Sequence, residues 1–163
     1  MTCNQEWFQI IMRAMAKSRS RVEAALAALD RASLRKTPQR LAIVRAFVDD
    51  PSHPTAQVLF DRLRPELPTM SFATVYNTLA ALERAGACRT LRLDGPAGDD
   101  GVRFDPFVEP HDHAVCDTCG AVIDLPRRPR EGPKPRVDGF RVRAVERIVR
   151  GTCAGCARVA PSP

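Results

Sequence analysis

Apolar positions recur at helical spacing through the first half of the chain and alternate through much of the second. Val22, Ala25, Leu26 and Leu29 follow Ser20-Arg21-Val22-Glu23, a run with the form of a capping box, so a first helix is expected from Ser20 to about Ser33. Thr37 before Pro38 is a cap with proline at the first helical position. Leu41, Val44, Phe47 and Val48 then mark the buried face of a second helix that stops before Pro51. Thr55 caps a third, with Val58, Leu59 and Leu63 on one face and an end near Pro65. Ser71 caps a fourth, in which Val75, Leu79 and Leu82 turn inward and Gly86 closes the helix in the left-handed conformation.

The period then changes. Arg89 to Leu93 and Val102 to Phe104 read as two strands separated by a Gly/Asp-rich turn, and helices followed by such a hairpin predict a winged helix-turn-helix. Ala114, Val115, Ala121, Val122, Ile123 and Leu125 predict a second hairpin whose turn is the C-x-x-C-G of Cys116 to Gly120. Pro126 to Pro135 carries four prolines and excludes a helix. Phe140, Val142, Ala144, Ile148 and Val149 resume a strand pattern that runs into Cys153. The expected fold class is α+β. An N-terminal extension over 1–19 precedes a winged-helix domain over 20–104, followed by a small α/β domain over 105–157 and a disordered tail over 158–163.

Charge sharpens this division. Residues 1–93 hold 14 Lys+Arg against 8 Asp+Glu, whereas 94–163 hold 11 of each, so the whole net charge of +6 lies in the helical part. That suits a polyanion-binding module joined to a regulatory one, although a solvated basic face has the same composition. No apolar run approaches the ~18 residues that a membrane span needs, and a cytoplasmic protein is expected.

Four of the six cysteines form two C-x-x-C pairs, Cys116/Cys119 and Cys153/Cys156. In a reducing compartment such pairs read as metal ligands, and four thiolates complete a tetrahedral shell for structural Zn²⁺. The redox alternative needs a βαβ context that the pattern lacks. All three histidines join a second constellation, His53, Asp105, His111, His113 and Asp124. On a strand His111 and His113 face the same side, and imidazole with carboxylate suits Fe²⁺ or Mn²⁺ as well as Zn²⁺. Surface histidines share that spacing, but no histidine is left for any other role. On the outer face of the fourth helix, Thr74, Tyr76, Asn77 and Thr78 offer what a major-groove reader needs near the N-terminal end, as would an ordinary polar surface.

These motifs resemble the ferric uptake regulator family of metal-dependent bacterial repressors. The matches are TPQR at Thr37 to Arg40, HPTA at His53 to Ala56, SFATVYNTL at Ser71 to Leu79, RFD at Arg103 to Asp105, HDHAVCDTCGAVID at His111 to Asp124 and CAGC at Cys153 to Cys156. The resemblance covers about residues 20 to 157. It implies a winged-helix DNA-binding domain, a C-terminal dimerisation domain and a homodimer on a palindromic double-stranded DNA operator. It also implies that Tyr76 contacts bases, with Arg40, Ser71, Thr74 and Asn77 beside it. The regulatory ion would take His53 from the DNA-binding side and Asp105, His111, His113 and Asp124 from the hinge and second domain. A departure is the short, proline-rich segment after Leu125, where most members have a dimerisation helix.

Within the family, Asp105, Asp124 and Asn77 resemble the peroxide-sensing repressor (PerR) branch, since iron sensors usually carry glutamates at the two acidic positions and zinc sensors a cysteine at the first. That resemblance implies Fe²⁺-dependent oxidation of a ligand histidine, His53 or His111, with release of DNA. A metal-dose regulator for iron, manganese or zinc is the alternative. A non-haem iron enzyme could use the same donors, but no substrate cavity is suggested and the basic half would lack a role. A zinc-ribbon binding module completes the rival readings.

Overall fold

The computed structural model describes residues 3–93, 101–126, 137–142 and 145–159. They fall into two compact units, one within Met1–Leu93 and Gly101–Val108, the other within Glu109–Pro163.

The first unit contains α1 (Cys3–Arg31), α2 (Pro38–Phe47), α3 (Ala56–Leu63), α4 (Phe72–Arg84), β1 (Arg89–Arg92) and β2 (Val102–Asp105). Three helix starts follow from local chemistry. The hydroxyls of Thr37, Thr55 and Ser71 accept the backbone N–H of Arg40, Val58 and Thr74 at 3.4, 3.2 and 3.2 Å, each such cap contributing about 1 kcal/mol. Leu29, Ile43, Val44, Phe47, Leu59, Val75, Leu79 and Leu82 are wholly buried and form one core, which Phe104 of β2 joins. Gly86 ends α4 at φ +70°. The strands pair antiparallel from Arg89↔Asp105 to Arg92↔Val102 and make the wing.

Four details differ from the sequence reading. Helix α1 is continuous through Ser20: residues 3–19 contain neither proline nor glycine, so nothing forces the chain out of helix before the serine, and a cap exists only where it does. Val58 is 44% exposed because the buried stripe of α3 runs through Ala56, Leu59 and Leu63. Thr78 is fully buried rather than on the outer face of α4, its hydroxyl satisfied by donation to the Thr74 carbonyl at 2.6 Å. The first unit also runs on to Val108, beyond the expected boundary after Phe104.

The second unit is a three-stranded sheet of order β4-β3-β5 with β3 (Asp112–Cys116), β4 (Val122–Leu125) and β5 (Ile148–Gly151), followed by α5 (Ala154–Val159). β3 runs antiparallel to β4 and parallel to β5. The tight turn between β3 and β4 is closed by Gly120, at φ +70°, whose N–H donates to the Cys116 carbonyl at 2.9 Å. Among the described residues of the expected last strand only Ile148–Gly151 is extended, and Gly139 at φ +73° turns the chain at Phe140, which makes an isolated bridge to Val137. The Gly/Asp-rich turn at 94–100, the proline-rich stretch at 127–136, Ala144 and the tail from 160 lie outside the described residues. Arg158 and Val159, read as tail, close α5.

Candidate metal centres

In the second unit β3 delivers Cys116 at its end, the following turn presents Cys119, and the chain leaving β5 brings Cys153 and Cys156. All four sulfurs lie within 4.8 Å of one another. The Cys119 and Cys153 sulfurs are 3.8 Å apart, the edge of about 3.8 Å that a tetrahedron with Zn–S bonds of about 2.3 Å requires. Backbone amides also turn inward: Cys153 N–H donates to Cys116 Sγ at 3.3 Å and Cys156 N–H to Cys153 Sγ at 3.5 Å.

The amides of Cys153 and Cys119 hold the Cys116 thiol down at about 6. That of Cys156 lowers Cys153. Crowding by Cys119 and Cys153 pushes Cys156 up to about 12. Four thiols of which some ionise readily and one resists need a cation before all can be thiolates. The sulfurs converge on one point instead of forming two separate redox pairs, and the cluster suits structural zinc.

The histidines and aspartates form one group within each unit. In the first, His53 is wholly buried on the loop between α2 and α3, at φ +52°. Its Nδ1 lies 3.1 Å from the Pro51 carbonyl. Pro54 accepts the Phe104 N–H at 3.0 Å and Thr55 bridges to Arg103, which lays the end of β2 along this loop. Asp105, also wholly buried, accepts the Phe107 N–H at 2.7 Å. Its Oδ1 is 3.8 Å from His53 Nε2, too far for a hydrogen bond and within the span of two ligands each about 2.1 Å from one ion.

In the second unit His113 pairs across the sheet with Asp124, and the His111 and His113 rings approach to 4.4 Å between centroids. Asp124 Oδ1 stands 3.1 Å from His111 Nε2 and 3.7 Å from His113 Nε2. The Nδ1 of His111 lies 2.8 Å from the Glu109 carbonyl.

A carbonyl can only accept, so His53 and His111 each carry their proton on Nδ1 and turn Nε2 toward a carboxylate oxygen. An Nε2 without a proton and a carboxylate oxygen are both acceptors, and a cation between them satisfies both. An imidazole that donates through one nitrogen to a carbonyl is also how proteins fix a metal-binding tautomer. Both groups therefore fit a divalent cation.

The expected DNA face is uneven. Tyr76 is 49% exposed and stacks on Phe72, with 6.4 Å between centroids, while Phe72 meets Phe60 edge-on at 6.0 Å. Asn77 is exposed. Ser71 and Thr74 are engaged in the cap, their hydroxyls 2.9 Å apart, and Arg40 donates to the Arg35 carbonyl at 2.9 Å. Phe72 was missed from sequence, although its spacing of four from Tyr76 on an exposed helix start signals it. Asp50, which steadies the His53 loop through Ser52 and Arg62, was missed as well.

No described helix is long and apolar enough to cross a membrane. The family model of the ferric uptake regulator family matches residues 31–145. Peroxide-responsive repressors PerR of Staphylococcus epidermidis and Staphylococcus aureus are 38% and 37% identical over 104 residues, 64% of this chain and 67% and 68% of theirs. Among solved structures, the Helicobacter pylori ferric uptake regulator Fur superposes with a TM-score of 0.63 at 19% identity, covering 85% of this chain and 93% of that one. A zinc-bound manganese uptake regulator gives 0.59 at 23%, covering 80% and 98%. These structural likenesses speak for the fold, a winged-helix domain followed by a smaller α/β domain. Members of the family are DNA-binding homodimers and regulators of transcription, not enzymes. With the matched residues spanning both units and including all three histidines, the chain belongs to the ferric uptake regulator family of metal-responsive regulators.

Proposed function

We propose that the chain is a cytoplasmic, metal-dependent repressor that senses hydrogen peroxide. The observation that carries this reading is the donor set: two groups of imidazole and carboxylate, each with an Nε2 turned toward a carboxylate oxygen. His53 and Asp105 from the first unit, with His111, His113 and Asp124 from the second, act as ligands to one Fe²⁺ or Mn²⁺, while Cys116, Cys119, Cys153 and Cys156 hold zinc. An ion with ligands in both units favours one disposition of the two, and that preference sets the affinity of a homodimer for a palindromic operator. Arg40, Ser71, Thr74, Tyr76 and Asn77 meet the DNA.

Fe²⁺ held by these residues would activate H₂O₂ without net change in its own oxidation state, the ligand ring being the reductant. The balance is simple: one peroxide oxygen replaces hydrogen on a ring carbon of His53 or His111, the other leaves as water, and the ring loses two electrons overall. An oxidised ring is a poorer ligand, so the ion is lost and the DNA released. The relatives named peroxide-responsive repressors, and the aspartates at 105 and 124, support this branch.

The test is DNA binding by zinc-loaded protein with Fe²⁺ or Mn²⁺, before and after H₂O₂, followed by peptide mass spectrometry. Loss of binding only in the Fe²⁺ form, with one oxygen added at His53 or His111, is expected. Binding that follows metal concentration and ignores peroxide would make the chain a metal-dose regulator of iron, manganese or zinc.

A further inference from the structure

The loop that presents His53 is built around a carboxylate not itself among the ligands. Asp50 is nine-tenths buried just after α2, where its N–H donates to the Phe47 carbonyl at 3.0 Å. One of its oxygens accepts both the backbone N–H and the hydroxyl of Ser52, at 2.8 and 2.5 Å. The other accepts from Arg62 of α3 at 2.6 Å. Burial alone would raise this carboxyl, but the bonds from Ser52 and the Arg62 guanidinium outweigh it and hold it below the usual carboxylate range. The anion thus ties the end of α2, the turn at Ser52 and the side of α3 into one frame.

What that frame holds is an unusual backbone. His53 stands at φ +52° between Pro51 and Pro54, a conformation that L-residues avoid unless surroundings impose it. In that conformation its Nδ1 reaches back to Pro51 and its Nε2 points at Asp105. Neither proline can donate a hydrogen bond to hold the turn. Side chains fasten it on both sides: the Arg103 guanidinium donates to the His53 carbonyl at 3.5 Å, and Asp50 holds the preceding residue, Ser52.

From this we infer that Asp50, clamped by Arg62, is the positioning residue for His53: it sets the left-handed turn and the Nδ1–H tautomer, and so the affinity of the regulatory ion. The inference rests on the proposed reading of His53 as a ligand. A ligand's supporting partners are worth about 10–100-fold in metal affinity, large enough to measure at an isolated site.

The experiment is Mn²⁺ titration of the full, zinc-loaded chain, with ¹⁵N NMR of the histidine rings before Mn²⁺ is added. Asp50→Ala should weaken Mn²⁺ binding by about 10–100-fold and turn the Nδ1–H signal of His53 into a tautomer mixture, with zinc content unchanged. Asp50→Asn keeps an acceptor for Ser52 and should recover part of the loss. Arg62→Gln leaves the turn's own hydrogen bonds in place, and should give a smaller shift in the same direction even if Asp50→Ala folds poorly. Wild-type Mn²⁺ affinity and tautomer in both Asp50→Asn and Arg62→Gln would overturn the inference, provided His53→Ala still weakens binding. If His53→Ala also binds Mn²⁺ normally, the reading of His53 as a ligand fails first, and the positioning role falls with it.

Discussion

The two kinds of centre differ in softness, in burial and in where their donors come from along the chain. Four thiolates converge within one small unit, two contributed by a tight turn after β3 and two by the chain that leaves β5. The imidazoles and carboxylates stand as one buried pair in the first unit and one three-residue cluster in the second. A closed sulfur shell leaves no open position and couples metal binding to the folding of its own unit. On the proposed reading, the harder donors would share an exchangeable ion without being needed to fold either unit, and stability and regulation would fall to different elements of the periodic table.

The most severe way to probe that division is at the thiolates. Cys153→Ser removes a ligand and the acceptor of the Cys156 amide, and structural zinc is worth about 10–16 kcal/mol of folding free energy. Zinc should be lost and the second unit should become protease-sensitive while the helices of the first persist; a folded, zinc-replete variant would break the comparison. Next is His111→Ala, which should abolish Mn²⁺-activated DNA binding, a loss of about 100-fold or more in metal affinity, with one zinc per chain retained by elemental analysis. If zinc leaves too, the centres are not separate.

Smaller effects sharpen the picture in the first unit. Tyr76→Ala should cost specific DNA about 1–3 kcal/mol, the scale of one base contact, and leave non-specific binding nearly unchanged. Equal losses on both DNAs would make Tyr76 a packing partner of Phe72 only. The least effect is expected in acid. The folded Asp50 carboxyl is held below its ordinary range, so its contribution is present in full above about pH 4 and is lost as pH falls through the lower folded value. Asp50→Asn should flatten the helical unfolding curve against pH in that window, and an unchanged slope would mean that the carboxylate is no more stabilising than its amide.

Much of this was legible in sequence because it is local. Thr37, Thr55 and Ser71 cap helices through bonds that span three residues, and the Cys pairs announce a soft site by their spacing alone. Misreadings arose where the deciding partner is remote or where a local motif lacks its context. Ser20 has the residues of a cap but no chain break before it, and Thr78 looks polar until its hydroxyl finds the Thr74 carbonyl. Asp50 shows nothing in sequence because Arg62 reaches it from the next helix. The histidines lay between these cases: the sequence suggests ligands, whereas their tautomers depend on carbonyls that only the folded chain brings near.

The left-handed backbone at His53 also gives evolutionary drift a direction. A lineage released from metal control could replace this imidazole with glycine or asparagine and gain on the order of 1 kcal/mol by relieving the turn. If His53 is the ligand proposed, a sister sequence that reads Gly or Asn in its place would therefore be the fossil of an abandoned switch, sturdier for having stopped listening.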